Sequence, residues 1–168
     1  MPETAVLPRE RVDLLQSLEK HRAFLVQTLD GMSYEQIRIA STVSELSLGR
    51  ILKHVTATET TWRNFILRGA AAFEEMSPDA YEAEWRLEEG DTVESLLAAY
   101  AESAAQTDAL VAEVDLDAEH ELPVAPWFEP GASWSARRCL LHIIAEGAQH
   151  AGHADIIREA IDGAKTMG

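Results

Sequence analysis

The sequence predicts an all-α protein, a four-helix bundle with one long crossover between the second and third helices. Four long stretches carry apolar side chains at the three- and four-residue spacing of an amphipathic helix. Residues typical of helix ends, chiefly glycine, proline, serine and threonine, lie at the boundaries of these stretches. No segment shows the apolar-polar alternation of a half-buried strand. The 168 residues are expected to form one domain, residues 1–168.

The first helix is predicted from near Pro8 to the Asp30-Gly31 pair, after a short tail of residues 1–8. Proline suits an opening turn because the first N–H groups of a helix have no partner within it. The apolar stripe of this helix consists of Leu14, Leu18, Leu25 and Leu29. His21 lies within the stripe, and we interpret it as a structural histidine rather than a metal ligand.

The second helix is predicted to follow Ser47, a favourable N-cap, and to stop at Gly69. His54 shares the core side of this helix, so one imidazole is expected to face inward. Residues 70–91 are too many for a tight hairpin, and we interpret them as a crossover with a short helix around Pro78 to Trp85.

The third helix is predicted over residues 92–114, with Tyr100 packed in the core. Residues 115–132 hold three prolines and a glycine, so they are expected to form a loop, which has the composition of a lid. Two aromatic residues of this loop are expected to pack at one end of the bundle or to line a pocket mouth, namely Trp127 and Phe128. His120 is expected to be a solvated loop residue.

The fourth helix is predicted over Ser133 to Gly163 and carries the densest group of titratable side chains. On an ideal helix, four of them lie within about 80° of one another around the axis: His142, Glu146, His150 and His153. Such groups are costly on an inner face unless they are hydrogen-bonded, paired or bound to a metal. Cys139 is on the same side and is interpreted as a small core residue.

Composition narrows the class of partner. The chain has 29 acidic and 14 basic side chains and a net charge of −15, which argues against binding to nucleic acid or to an anionic membrane. A single cysteine excludes an intramolecular disulfide and suits a reducing compartment. With no leader-like start and no apolar segment of spanning length, a cytoplasmic location is expected.

Spacing on the fourth helix allows more than one metal-binding pair. Glu146 with His150, and His142 with Glu146, are i, i+4 pairs, while His150 with His153 is an i, i+3 pair. Two ligands from this helix and His54 from the second helix would leave a coordination position for water or substrate, as in catalytic zinc sites. Periodicity leaves the choice among the pairs open.

The stretch LGRILKHVTATETTW, followed downstream by HIIAEGAQHAGH, resembles the DinB-like superfamily of metal-binding four-helix proteins. The resemblance is nearest to the branch that contains mycothiol-dependent maleylpyruvate isomerase. It implies metal ligands at His54, Glu146 and His150, an up-down-down-up topology and a homodimer. His153 falls where many members have glutamine, and the resemblance implies a position beside the ligands or at the pocket edge.

The resemblance also implies a reaction class. A divalent metal, zinc by default with nickel, iron or manganese compatible, would lower the pKa of a low-molecular-weight thiol such as mycothiol. The thiol would then undergo S-transfer to a small electrophile or assist its isomerisation. His142 or His153 would shuttle protons, and Arg86 or Arg137 would hold a substrate carboxylate. The alternatives are a metal-dependent hydrolase, a non-catalytic metal- or ligand-binding bundle, and a purely structural helical protein.

Overall fold

The computed structural model describes residues 7–73 and 77–166, so most of the predicted tail, residues 1–6, lies outside the described residues. Six α-helices are present in those ranges: α1 (Arg9–Gln27), α2 (Tyr34–Ile37), α3 (Leu48–Arg68), α4 (Pro78–Glu84), α5 (Val93–Glu113) and α6 (Ala136–Asp162). A 3₁₀ turn, Gly69–Phe73, follows α3, and two strands, β1 (Glu119–Glu121) and β2 (Ser133–Ser135), precede α6. No helix in the described ranges is long and apolar enough to cross a membrane.

The four long helices, α1, α3, α5 and α6, occur where the periodicity predicts them, and their boundaries follow local chemistry. The Ser47 hydroxyl accepts a hydrogen bond from the Arg50 N–H at the start of α3. At the start of α5, Thr92 and Ser95 form a reciprocal capping box. The predicted short helix of the crossover is confirmed as α4, although residues 74–76 of the crossover lie outside the described residues.

The expectation that the chain has no strands is wrong in one place. β1 and β2 pair antiparallel, with His120 opposite Trp134, and close the loop that was predicted over residues 115–132. Each strand has three residues, which is too short to show an alternation pattern, and the pairing depends on a contact between distant parts of the chain. As a result, the fourth helix begins at Ala136, with Ser135 as its N-cap.

The interior is formed where α6 packs against α1 and α3, and where α3 also packs against α5. Phe65 and Leu140 belong to one apolar cluster, and Leu25 and Ile51 belong to a second. Tyr100 is buried in the second cluster, as predicted. Cys139 is fully buried in the first, and burial raises the pKa of its thiol to about 12, which makes it an unreactive core residue.

His120 is not the solvated residue that its acidic neighbours predicted. Its ring is half-buried, with Nε2 3.1 Å from the carbonyl oxygen of Ile66 and its edge against the ring of Phe65. A Cβ atom on Gly69 would lie 3.0 Å from the imidazole, and Gly69 has a φ of 63°. His120 therefore packs against the C-terminal end of α3, because the β1–β2 pairing turns it inward.

A buried ion pair joins α1 to α3. The Arg22 guanidinium donates to both carboxylate oxygens of Glu59, which is 2% exposed, and also to Asp108 of α5 at 2.8 Å. Arg63 donates to Ser103 nearby, so polar contacts connect α3 and α5 as well. The orientation of three of the long helices depends on these contacts.

We expect Glu59→Ala to lower the free energy of unfolding by about 3 kcal/mol, because it leaves a buried guanidinium with only Asp108 as its charged partner. Urea denaturation would measure the change. Arg9→Ala is the matched control, since Arg9 pairs with Asp13 at the surface and its loss should cost less than about 1 kcal/mol. Equal effects of the two substitutions would contradict a structural role for the buried pair.

Candidate active site

α3 and α6 bring together the three residues predicted as metal ligands. The Nε2 atom of His54 lies 3.8 Å from Oε2 of Glu146, and the Nε2 atom of His150 lies 3.6 Å from the same oxygen. Glu146 and His150 are one turn apart on α6, so both side chains point toward α3. His54 and His150 are 8% and 7% exposed, which means that both imidazoles are withdrawn from solvent.

Contacts within the group shift the pKa values of His54 and Glu146. Burial alone would lower the pKa of His54, but the carboxylates of Glu146 and Glu84 outweigh that effect and leave the pKa raised. Contacts from His150, and then from His54, hold the pKa of Glu146 well below its usual range. Glu146 is therefore ionised, as a metal ligand must be.

The donor set fits a divalent metal ion. One donor atom from each of His54, Glu146 and His150 lies within 4.8 Å of the other two, so a single ion between them could meet all three. Two imidazoles and a carboxylate are one of the donor sets that zinc takes in catalytic sites with three protein ligands. Among the described residues, these three form the group with metal-ligand spacing.

The far ring nitrogens of the two histidines also face polar side chains. Nδ1 of His54 is buried without a hydrogen-bond partner, and Oε2 of Glu84 lies 3.8 Å away. Nδ1 of His150 lies 3.5 Å from Nδ1 of His153. Metal-binding histidines in proteins have such a neighbour on the nitrogen that does not bind the ion. His153 therefore lies beside the far nitrogen of His150, and Glu84 lies beside that of His54.

The crossover covers the site. Trp85, directly after α4, stacks on the His54 ring with centroids 3.7 Å apart and an interplanar angle of 14°. It also contacts His150 at a centroid distance of 5.9 Å. α4 and Trp85 therefore shield one side of the group from water, which strengthens the electrostatic interactions inside.

A cavity of about 950 Å³ opens beside the three residues. Its walls include His142, whose Nε2 atom lies 3.8 Å from Oε1 of Glu146. Burial lowers the pKa of His142, so its imidazole is neutral near pH 7. Aromatic side chains form much of the remaining wall: Trp62, Phe73, Tyr81, Trp85, Trp127, Phe128 and Trp134. The volume is that of a small-molecule site.

The structure does not bring the other predicted site residues to the cavity. His153 does not line it. The predicted cofactor-binding arginines, Arg86 and Arg137, are also absent from its described walls. Arg86 pairs with Glu88 at 3.1 Å, and Arg137 pairs with Glu10 and Asp117. Both guanidiniums are therefore engaged elsewhere.

Sequence reasoning missed the contributions of Trp62, Glu84 and Trp85. Trp62 could have been found, because Thr58 and Trp62 follow His54 by one and two helical turns and so lie on the same stripe of α3. Glu84 and Trp85 carry no such signal, because their position depends on how the crossover folds back over α3. The loop aromatics Trp127 and Phe128 line the cavity, which was one of the two expectations for them.

A mostly helical chain in which a His/Glu/His group lies between two long helices has the arrangement of a helical protein with a metal-type site between its helices. A family model described as mycothiol-S-transferase matches residues 13–163. The chain therefore belongs to the mycothiol-S-transferase family, which is part of the DinB-like superfamily. This membership places it among mycothiol-related enzymes, for which the implied partner is a small-molecule thiol.

The chain is also similar in fold to a solved structure, described as a conserved protein from Enterococcus faecalis. The two share 14% sequence identity with a TM-score of 0.68, and the similarity covers 95% of this chain and 100% of the other. At that identity the similarity concerns the fold alone. A search of curated proteins gives no match.

We expect His54→Ala, Glu146→Ala and His150→Ala each to abolish binding of one zinc ion per chain, because each substitution removes one of three donors. Elemental analysis of untagged protein after zinc loading and gel filtration would measure the stoichiometry. His21→Ala is the control, since this histidine lies on α1 outside the group. Loss of zinc in His153→Ala, with retention in Glu146→Ala, would instead favour the i, i+3 pair on α6.

Glu84→Gln should weaken zinc binding about tenfold, because a neutral amide holds the far nitrogen of His54 less strongly than a carboxylate does. Competition with a fluorescent chelator would measure the affinity. Glu88→Gln is the matched control, since Glu88 lies on the same crossover and pairs with Arg86. An unchanged affinity in Glu84→Gln would exclude the assigned role.

Proposed function

We propose that the protein is a divalent-metal-dependent S-transferase that joins a mycothiol-like thiol to a small electrophile. The observation that carries the proposal is the position of three metal-type donors, His54, Glu146 and His150, on the wall of an aromatic cavity. Family membership supports a thiol as the first substrate, and the cavity has room for the second substrate.

His54, Glu146 and His150 would hold the metal, with zinc the first candidate for two imidazoles and a carboxylate. When bound, the metal supplies positive charge that lowers the pKa of a thiol into the neutral range. Glu84 and His153 lie beside the far ring nitrogens of the two imidazoles and would orient them when the metal is bound. Burial of both histidines keeps water from competing for their nitrogen atoms.

His142 is the residue that we assign to proton transfer. Its Nε2 atom faces the cavity beside Glu146, and its ring is held against Trp62 and Trp134 at centroid distances of 4.8 and 5.2 Å. It accepts the thiol proton, and the sulfur lone pair then forms the carbon–sulfur bond. In a substitution, the leaving group departs with its bonding electrons and the proton passes from His142 to solvent. The aromatic walls orient the electrophile.

The domain organisation, helix topology, oligomeric state and location are also part of what we propose. We propose a single domain over residues 1–168, with the four long helices running up-down-down-up and the crossover placed between α3 and α5. The packing of α6 against α1 and of α3 against both α5 and α6 supports this arrangement. A homodimer and a cytoplasmic location, where a reduced thiol pool is available, complete the proposed state.

We expect the protein to conjugate mycothiol to 1-chloro-2,4-dinitrobenzene only when zinc is bound, and His142→Gln to lower kcat about 100-fold, because a positioned proton acceptor is lost. Absorbance of the thioether product would measure the rate, and elemental analysis would show that the variant keeps its zinc. His21→Gln, outside the cavity, is the control. No zinc-dependent rate above the uncatalysed reaction, with mycothiol and several electrophiles, would contradict the proposed function.

A further inference from the structure

In the part of the cavity that the structure describes, acidic side chains occur without basic lysine or arginine side chains to balance them. Two carboxylates, Glu84 and Glu146, line it, whereas no lysine or arginine occurs among its described lining residues. The Arg138 guanidinium lies over the Trp134 ring at 4.7 Å from the centroid and is exposed to solvent. The Trp134 ring also stacks on Trp62, with an interplanar angle of 16°. The described lining of the cavity therefore offers no lysine or arginine, the permanently charged side chains that would bind an anion.

A bound metal does not reverse this balance. The two positive charges of a divalent ion would offset the two carboxylates, and the histidines are neutral when they act as ligands. A thiolate in the same space, with its proton on His142, leaves the site near electrical neutrality by the same accounting. A carboxylate or phosphate on the second substrate would then be an uncompensated charge in a partly enclosed, aromatic-lined space, where desolvating an anion is costly.

The walls favour flat apolar ligands instead. All four tryptophans of the chain, Trp62, Trp85, Trp127 and Trp134, line the cavity. Trp127 is 77% exposed, and its ring has the clearest access to an incoming molecule. Such an exposed indole on a loop over a cavity offers a stacking surface for an aromatic ring.

We infer that the electrophile taken by this site is an uncharged aromatic molecule and that the cavity rejects anionic ones. The inference rests on the proposed function for the identity of the reaction, but it concerns the binding of the second substrate. It replaces the expectation that Arg86 or Arg137 holds a substrate carboxylate.

The test is a binding measurement that needs no turnover. Quenching of tryptophan fluorescence would give dissociation constants for 1,3-dinitrobenzene and 3,5-dinitrobenzoate, which share a ring and differ by one carboxylate. We expect the neutral compound to bind at least about tenfold more tightly, in chelator-treated and in zinc-loaded protein alike. Trp127→Leu should weaken its binding about fivefold through loss of the stacking surface.

Gln149→Arg provides the gain-of-binding variant. Gln149 lines the cavity and is exposed. A guanidinium at this position should attract the carboxylate and lower the ratio of the affinity for the neutral compound to that for the anionic one at least about fivefold. Gln27→Arg makes the same change of net charge at an exposed position near the end of α1, away from the cavity, and should leave the ratio unchanged.

Three results would overturn the inference. The first is comparable affinity for the two compounds in the unsubstituted protein, and the second is an unchanged ratio of the two affinities in Gln149→Arg. The third is a preference that disappears in 500 mM salt, because screening would then assign the preference to the net charge of −15 rather than to the cavity. A retained preference without any thiol transfer would instead contradict the proposed function and leave the ligand class standing.

Discussion

The contact of His54 on α3 with Glu146 and His150 on α6 is the constraint on which the rest of the site depends. Two nearly buried imidazoles and an ionised carboxylate would be costly in an interior without compensation, and each gains it from the others. The arrangement requires α3 and α6 to pack directly against each other, as they do. The buried Arg22–Glu59 pair meets a similar demand between α1 and α3. Polar contacts therefore position helices that apolar packing alone could allow to shift.

The crossover and the loop before α6 partly enclose the residues at the contact between α3 and α6. Glu84, the last residue of α4, lies beside the Nδ1 atom of His54, and Trp85 stacks on the His54 ring, while the loop contributes Trp127 and Phe128 to the cavity wall. Both segments are connections rather than bundle helices, which is where binding residues are often carried on a rigid scaffold. The resulting cavity combines donors for a cation with walls for an aromatic ligand. The proposed reaction, in which a thiol and an electrophile meet in one space, requires this combination.

Much of the fold followed from local pattern, because helical periodicity and capping residues act over a few positions. Ser47, Gly69 and Thr92 bound their helices as expected. The inward stripe on α6 indicated the candidate ligands, but resemblance to a family was needed to choose Glu146 and His150 over the pair His150 and His153. What remained hidden depends on contacts between distant segments. The β1–β2 pairing turns His120 inward, and the folded-back crossover brings Glu84 to the site. Arg137 forms an ion pair away from the site with Glu10, at the distant start of α1, and Arg86 pairs with its neighbour Glu88.

The most direct measurement is an anomalous-difference map at the zinc edge from crystals of the zinc-loaded protein. A single strong peak between Nε2 of His54, a carboxylate oxygen of Glu146 and Nε2 of His150, at the 2.0–2.2 Å distances of roughly tetrahedral zinc, is the expected result. A peak on another group of residues, or none while these side chains keep the contacts described above, would contradict a metal centre at the junction of α3 and α6.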